Sequence, residues 1–271
     1  QWQLVEQCAQ TLKPIYGRLI EEAAQGSVLY NDDTSMTVLD MLPDQRPQSH
    51  DPTLRTGVFT SAIVSKNTER YIMLFFTGHR HAGENLDRVL ELRDAGLETP
   101  IQMCDGLKRN FPKASKTIPS QCTPHGRRKF VEIIPAFPEQ CEFVLERLKQ
   151  LYANEKVTKE QGMSDSQRLD FHQQHSQELM DKLHHWMQEQ IDQKLVEENS
   201  SLGEALQYML RRWQKMTLFL RKSGAPLDNN LCERVRKMAI LHRKNSLFYK
   251  TAHGAWVGDL FMSLIHTCRH S

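Results

Sequence analysis

Apolar side chains in the first 24 positions fall at Leu4, Cys8, Leu12, Ile15, Leu19 and Ile20. This spacing predicts a helix, with Pro14 as a kink or restart. The pattern then changes to short apolar runs at 28–30 and 36–39, which read as strand with the polar Asn31, Asp32, Asp33 and Thr34 embedded. A polar, proline-containing loop is expected over 44–56. Two further strands are expected over 57–64 and 71–76, joined by a turn at Lys66, Asn67 and Thr68. Residues 84–95 predict a short amphipathic helix with Leu86, Val89, Leu90 and Leu92 inward, and 101–104 a compact strand ending on Asp105-Gly106. Residues 130–134 read as a short fifth strand stopped by Pro135. Beyond it the pattern is helical: an amphipathic stretch over 141–152 and a long polar helix over 164–197. His172, His175, His184 and His185 read as the solvated face of that polar helix. A third stretch over 202–220 carries Leu206, Met209, Leu210, Trp213, Met216 and Leu220 inward. Trp186 and Trp213 read as core.

The order of elements gives three strands with short links, a crossover helix, and a fourth strand that the crossover allows to lie parallel to a neighbour. The expectation is a mixed sheet followed by a large helical segment. At 271 residues, with 39% hydrophobic and 25% charged side chains, the chain suits a soluble globular protein with a sizeable core and excludes a disordered one. No apolar run approaches the roughly 20 residues of a membrane helix, and the polar start does not read as a signal peptide. Six scattered cysteines without paired spacing suit a reducing cytoplasm. The chain opens on Gln1 rather than Met, so a longer protein is expected. The net charge of +2 conceals local excess: residues 201–271 hold 12 Lys and Arg against 4 Asp and Glu, and 104–130 hold seven basic residues against Asp105 alone. A polyanion such as nucleic acid fits these segments.

Transfer of a phosphoryl group on DNA requires hard cations on both sides of the scissile phosphate, held by a few carboxylates. Asp32 in the first strand region, Asp105 at the end of the fourth and Glu233 on a late helix would satisfy this if they converge. Read locally, each has a plainer role: a strand-end Asp forms turns or caps helices. Asn230 and Glu233 also have capping-box spacing. Cys122 and His125 form a Cys-x-x-His pair to which Cys104, His79 and His81 could be added, but the spacing is loose for zinc.

The segment Asp228-Asn-Asn-Leu-Cys-Glu-Arg-Val-Arg236, continuing to His242-Arg-Lys-Asn-Ser-Leu-Phe248, resembles the signature of the IS66 family of bacterial transposases. Cys122-Thr-Pro-His-Gly-Arg-Arg-Lys-Phe130, Asp32-Asp-Thr34, Asp105-Gly106, and Leu202-Gly203 with Tyr208, Trp213 and Phe219-Leu220 resemble further family motifs in the same order. The resemblance implies a DDE transposase with a ribonuclease-H-like mixed α/β fold, its acids gathered at one edge of a central sheet. It implies a large helical insertion between the second and third acids. On this basis 1–26 is a helical lead-in, 27–136 the first part of the core, 137–222 the insertion, and 223–271 the completion of the core with the Glu helix. The metal-binding and catalytic acids fall on Asp32, Asp105 and Glu233. Asp33 stands where the family has Glu, which leaves open which adjacent aspartate faces the metal; Thr123-Pro124 replaces the family's Trp-Ala. The implied cofactor is Mg²⁺, with Mn²⁺ as substitute. The implied reaction is strand cleavage and strand transfer; the alternatives are a nuclease or resolvase of the same fold, or an inactive DNA-binding relic. DNA contacts are expected from Lys108, Arg109, His125, Arg127, Arg128, Lys129, Arg236, Lys237, Arg243, Lys244 and Asn245. The implied partners are element ends and target DNA, with homo-oligomers forming on DNA, no membrane, and accessory transposition proteins. The expected place is the bacterial cytoplasm, at the nucleoid when DNA is bound. Recognition of element-end sequence is expected from a separate module before Gln1.

Overall fold

Strands form where β-branched and aromatic residues cluster between turn residues. Three such runs give β1 (Val28–Ser35), β2 (Phe59–Asn67) and β3 (Arg70–Gly78). The computed structural model describes residues 1–42, 55–67 and 70–270. Within these the chain divides into two units, residues 1–119 with 229–271, and residues 120–228.

The first unit is built on a mixed sheet. β1 and β2 pair antiparallel, as do β2 and β3, whereas β4 (Ile101–Cys104) joins β1 in parallel after the crossover through α2 (Ala82–Leu90). The order is β3-β2-β1-β4-β5, with β5 spanning Ile118–Gln121. Side chains alternate across β1. Leu29 faces a core shared with Ile63, Leu74, Tyr16 of α1 (Trp2–Ala24), Leu86 and Val89 of α2, and Leu260 of α10 (Ala252–His270). The opposite face of β1 and β2 meets α9 (Asn230–Ser246), where the Cys232 thiol donates to the carbonyl of Ala62 at 3.4 Å.

β3 is an edge strand, and an uncovered edge invites pairing with another chain. α10 covers it with three side chains at helical i, i+4, i+8 spacing. Thr267, Ser263 and Asp259 accept from the backbone N–H groups of Met73, Phe75 and Thr77 at 2.9, 2.9 and 2.5 Å. The period of two along the strand thus meets the repeat of one helical turn. Asp259 also accepts from Thr77 Oγ1 at 2.7 Å.

The second unit is helical: α3 (Thr123–Ile133), α4 (Pro138–Glu160), α5 (Asp165–His175), α6 (Gln177–Asp192), α7 (Ser201–Leu210) and the short α8 (Trp213–Met216). At its centre Glu155 accepts from Arg168 Nε at 2.8 Å and pairs with His172 Nε2 at 2.9 Å and Lys159 at 3.1 Å. Burial would raise the Glu155 carboxyl, but His172, Arg168 and Lys159 together hold it down at about 2. This network ties α4 to α5.

Several expectations are corrected. α1 runs unbroken through Pro14; Pro14 and Gln10, whose carbonyl loses its helical donor, are both exposed to water. Residues 36–39 are not strand; only Val38 bridges, to Tyr249. α2 stops at Leu90, leaving Leu92 exposed. Residues 130–133 end α3 rather than forming a strand, because Thr123, Gly126 and Phe130 are buried at helical spacing; the fifth strand lies earlier. The long polar helix is broken at Ser176, and His172 is fully buried rather than solvated, its Nδ1 bonded to Ser176 Oγ at 2.9 Å. Of the expected 44–56 loop, only residues 55 and 56 lie within the described residues, and Thr68 lies outside them.

Burial pushes the Asp259 carboxyl up from 3.8 to about 7 against the opposing hydrogen bonds from Thr77. An acid raised on folding contributes stability below its unfolded value and loses it as pH rises through the folded one. Asp259→Asn, which keeps an acceptor for Thr77, should therefore gain on the parent between pH 5 and pH 8 by on the order of 2–3 kcal/mol. Denaturant titrations at the two pH values measure it; an unchanged difference would mean that Asp259 does not titrate between them.

Candidate acid site

Parallel pairing of β1 with β4 sets the geometry. Val28, Leu29 and Tyr30 lie opposite Ile101, Gln102 and Met103. The same register, carried two residues further, brings Asp32 level with Asp105. The two carboxylates interact: burial raises Asp32 to about 6, Arg236 opposes the shift, and the Asp105 charge adds to it. Asp32 is only 7% exposed. Its Oδ1 accepts from the backbone N–H of Asp33 at 2.8 Å, and its Oδ2 faces Arg236 Nε at 2.9 Å.

Alternation along β1 turns Asp33 to the other face. There its buried carboxylate pairs with His81 Nδ1 and Arg109 Nη2, each at 3.0 Å, and His81 and Arg109 both pack on Phe59. Asp33 therefore clamps β1 to the start of α2 and to the turn at 108–110, and Asp32 is the aspartate that shares a face with Asp105. His79 bonds the carbonyl of Gly57 at 2.9 Å. Two of the three histidines weighed as zinc ligands, His79 and His81, thus have protein partners.

Asp105 is held by a network of buried amides. Its Oδ1 accepts from Asn110 Nδ2 at 2.8 Å and from the Leu107 N–H at 2.9 Å. The second bond requires the chain to reverse at Gly106, whose φ of 86° is open to glycine at little cost. The carbonyl of Asn110 in turn accepts from Asn31 at 2.6 Å and Gln102 at 2.8 Å, and Gln102 also donates to Asn31 Oδ1 at 2.9 Å. Asn31, Gln102 and Asn110 are all fully buried. Sequence reasoning missed these three; for Asn31 and Gln102 the available signal was a polar amide at a central strand position, where burial demands a partner.

Glu233 enters on the first turns of α9. Asn229, not Asn230, holds the position before the first helical residue, without a side-chain cap bond, and Glu233 N donates to the Asn229 carbonyl at 2.9 Å. Glu233 thus lies one residue past the capping-box position. Asn229 is fully buried and donates to the Asn31 carbonyl at 3.4 Å, which pins the helix start to β1. The buried Cys232 thiol lies among these charges: burial, then Asp32, push it well above its ordinary value, Arg236 opposes, and Glu233 and Cys104 add to the rise. The carboxylates of Asp32, Asp105 and Glu233 do not all lie within 4.8 Å of one another among the described residues. Arg236 instead takes the Asp32 oxygen.

The other basic residues divide into tied and exposed groups. Arg243 donates to Ser35 Oγ at 2.7 Å and to the Ser35 carbonyl, fastening α9 to the end of β1. Lys108, Lys237, Lys244 and Asn245 are exposed. In the helical unit Arg127, Arg128 and Lys129 project from α3 into solvent, Lys129 lies 5.9 Å above the Tyr208 ring, and His125 is half-buried on the first turn.

Asn110→Ala would remove one of the two donors to Asp105 while keeping the main-chain carbonyl that accepts from Asn31 and Gln102. The expected loss of stability is about 1–3 kcal/mol, read by urea denaturation; a change under about 0.5 kcal/mol, the range of an ordinary surface substitution, would show that the amides do not act as a unit.

The transposase IS66 family model matches residues 2–256. Uncharacterized protein y4jD of Sinorhizobium fredii is 25% identical over 277 residues, covering 96% of this chain and 50% of its own length. Uncharacterized protein y4hP of the same organism is 30% identical over 173 residues, covering 58% of this chain and 30% of its own. The chain spans half or less of the length of the curated relatives it matches. No solved structure matches. No helix among the described residues is long and apolar enough to cross a membrane. With the family model covering nearly its full length, the chain belongs to the transposase IS66 family.

Proposed function

We propose that this chain carries the catalytic acids of a DNA transposase, and that Asp32, Asp105 and Glu233 hold divalent metal for strand cleavage and strand transfer. The observation that carries the reading is the electrostatically coupled pair Asp32 and Asp105, placed by the parallel pairing of β1 with β4; Glu233, on the α9 helix whose Arg236 pairs with Asp32, is the third acid of the reading. The fold reading is ribonuclease-H-like, supported by a mixed sheet whose adjacent parallel strands β1 and β4 carry or lead into Asp32 and Asp105. The helical unit 120–228 falls in chain order between Asp105 and Glu233, which supports reading it as an insertion.

The donors fit a hard cation. All three acids offer oxygen, the preference of magnesium and manganese, and a dication would offset the burial and the Asp105 charge that raise Asp32. When bound, such ions supply charge neutralisation at the scissile phosphate and a more acidic water or hydroxyl. The chain's own part is positional. Asn110 and Gly106 fix the direction of Asp105, Asn229 fixes the start of the Glu233 helix, and Asp33 locks β1 from behind. Exposed Lys108, Lys237 and Lys244 neutralise backbone phosphates without reading sequence, as do Arg127, Arg128 and Lys129 on the helical unit.

Asp105→Asn keeps the shape and the Leu107 and Asn110 contacts while removing the charge a cation needs. It should abolish magnesium-dependent cleavage of labelled element ends, and with it the joined strand-transfer product, while leaving melting temperature, and DNA affinity measured without divalent cation, near those of the parent. Normal cleavage by Asp105→Asn would remove Asp105 from the site, and cleavage by the parent without any joined product would turn the reading to a nuclease.

A further inference from the structure

We propose that Arg236 is an exchangeable counter-ion: it neutralises Asp32 until DNA arrives, then moves to a phosphate, so that DNA and divalent cation bind cooperatively. This rests on reading Asp32 and Asp105 as ligands of a divalent cation. The two oxygens of Asp32 are held in different ways. Oδ1 accepts from a main-chain N–H, which is fixed by the strand, whereas Oδ2 faces a side chain on another element. Only the second contact can be exchanged without disturbing the sheet.

Arg236 is suited to leave. Its side chain is 28% exposed, and it touches Asp32 through Nε. Among the described residues its two terminal nitrogens form no hydrogen bond. Arg243, two turns along the same helix, differs: it is committed to Ser35 and Thr34. The guanidinium is partly exposed while Asp32 is buried, so Arg236 can turn outward, but the carboxylate it leaves needs a replacement cation. The terminal nitrogens form the fork that grips phosphate oxygens in pairs. Lys237 beside it is exposed and adds charge toward the same ligand.

The guanidinium and a dication compete for one carboxylate oxygen, and two cations on that oxygen repel each other. Metal binding alone must therefore displace Arg236 into water, whereas metal binding with DNA present finds Arg236 already drawn to phosphate. The coupling is reciprocal by linkage: whatever factor DNA adds to metal affinity, metal adds to DNA affinity.

The test is a manganese titration of the 271-residue chain, following free Mn²⁺ by paramagnetic resonance, with and without a short duplex of arbitrary sequence. Duplex should tighten manganese binding to the parent by about tenfold, within the usual span of coupling between two ligands. Arg236→Gln should bind manganese about tenfold tighter than the parent without DNA, and duplex should then add little. Arg236→Met carries the same expectation if Arg236→Gln does not fold. Unchanged or weaker manganese binding by the variant, with the effect of duplex retained, would overturn the proposal. Asp105→Asn separates the two readings: if it binds manganese as the parent does, the metal-site reading itself fails, whatever Arg236 does.

Discussion

Two carboxylates set level at the end of a parallel strand pair repel each other, and burial sharpens the repulsion. Asp32 and Asp105 are in this position because β1 and β4 pair in one register, and the surroundings are arranged around that conflict. The Asp33 N–H and the Arg236 guanidinium lower the cost at Asp32, yet its carboxyl still rises to about 6. Asp105 is steadied by neutral donors, Asn110 and the Leu107 N–H, which orient it without cancelling its charge. A sheet selected for stability alone would replace such a pair with apolar side chains. Keeping it costs stability that the structure recovers elsewhere, through the Leu29 core, the covered β3 edge and the Asp33 clamp.

That clamp shows how one strand serves two purposes. Successive side chains on β1 point to opposite faces, so adjacent aspartates have unrelated surroundings. Asp33 is buried between His81 and Arg109 and fastens the strand; Asp32 meets α9 and Asp105. A one-residue slip of β1 would exchange them and turn Leu29 out of the core, so the hydrophobic pattern of the strand also enforces the position of the acid.

How much was legible in the sequence follows from which signals are local. The strand at 101–104 and its stop at Asp105-Gly106 were readable because an apolar run meets a residue pair suited to a reversal. The parallel placement of β4 was accessible from the intervening helix. The amide network was not, because Asn31 lies 71 and 79 positions from Gln102 and Asn110, and an amide within a strand hints at a buried partner without naming it. His172 failed for a related reason: on a helix polar all round, periodicity does not show which face meets Glu155. Phe130 to Ile133 misled because a short apolar run suits strand and helix alike, and only Gly126 and Thr123, a turn and two turns earlier, reveal the helical stripe. The Arg236 contact lay beyond sequence as well; its position three residues after Glu233 marks the shared helix face but not the acid opposite.

The account turns on whether Asp32, Asp105 and Glu233, carried by β1, the end of β4 and α9, serve one cation. A crystal of this chain soaked in manganese, with anomalous diffraction measured at the manganese edge, addresses this directly. The account predicts an anomalous peak bonded to oxygens of both Asp32 and Asp105, about 2.0–2.3 Å from each, with Glu233 turned toward it and Arg236 withdrawn from Asp32. Manganese bound elsewhere, with the Arg236 to Asp32 pair intact at its 2.9 Å, would contradict it.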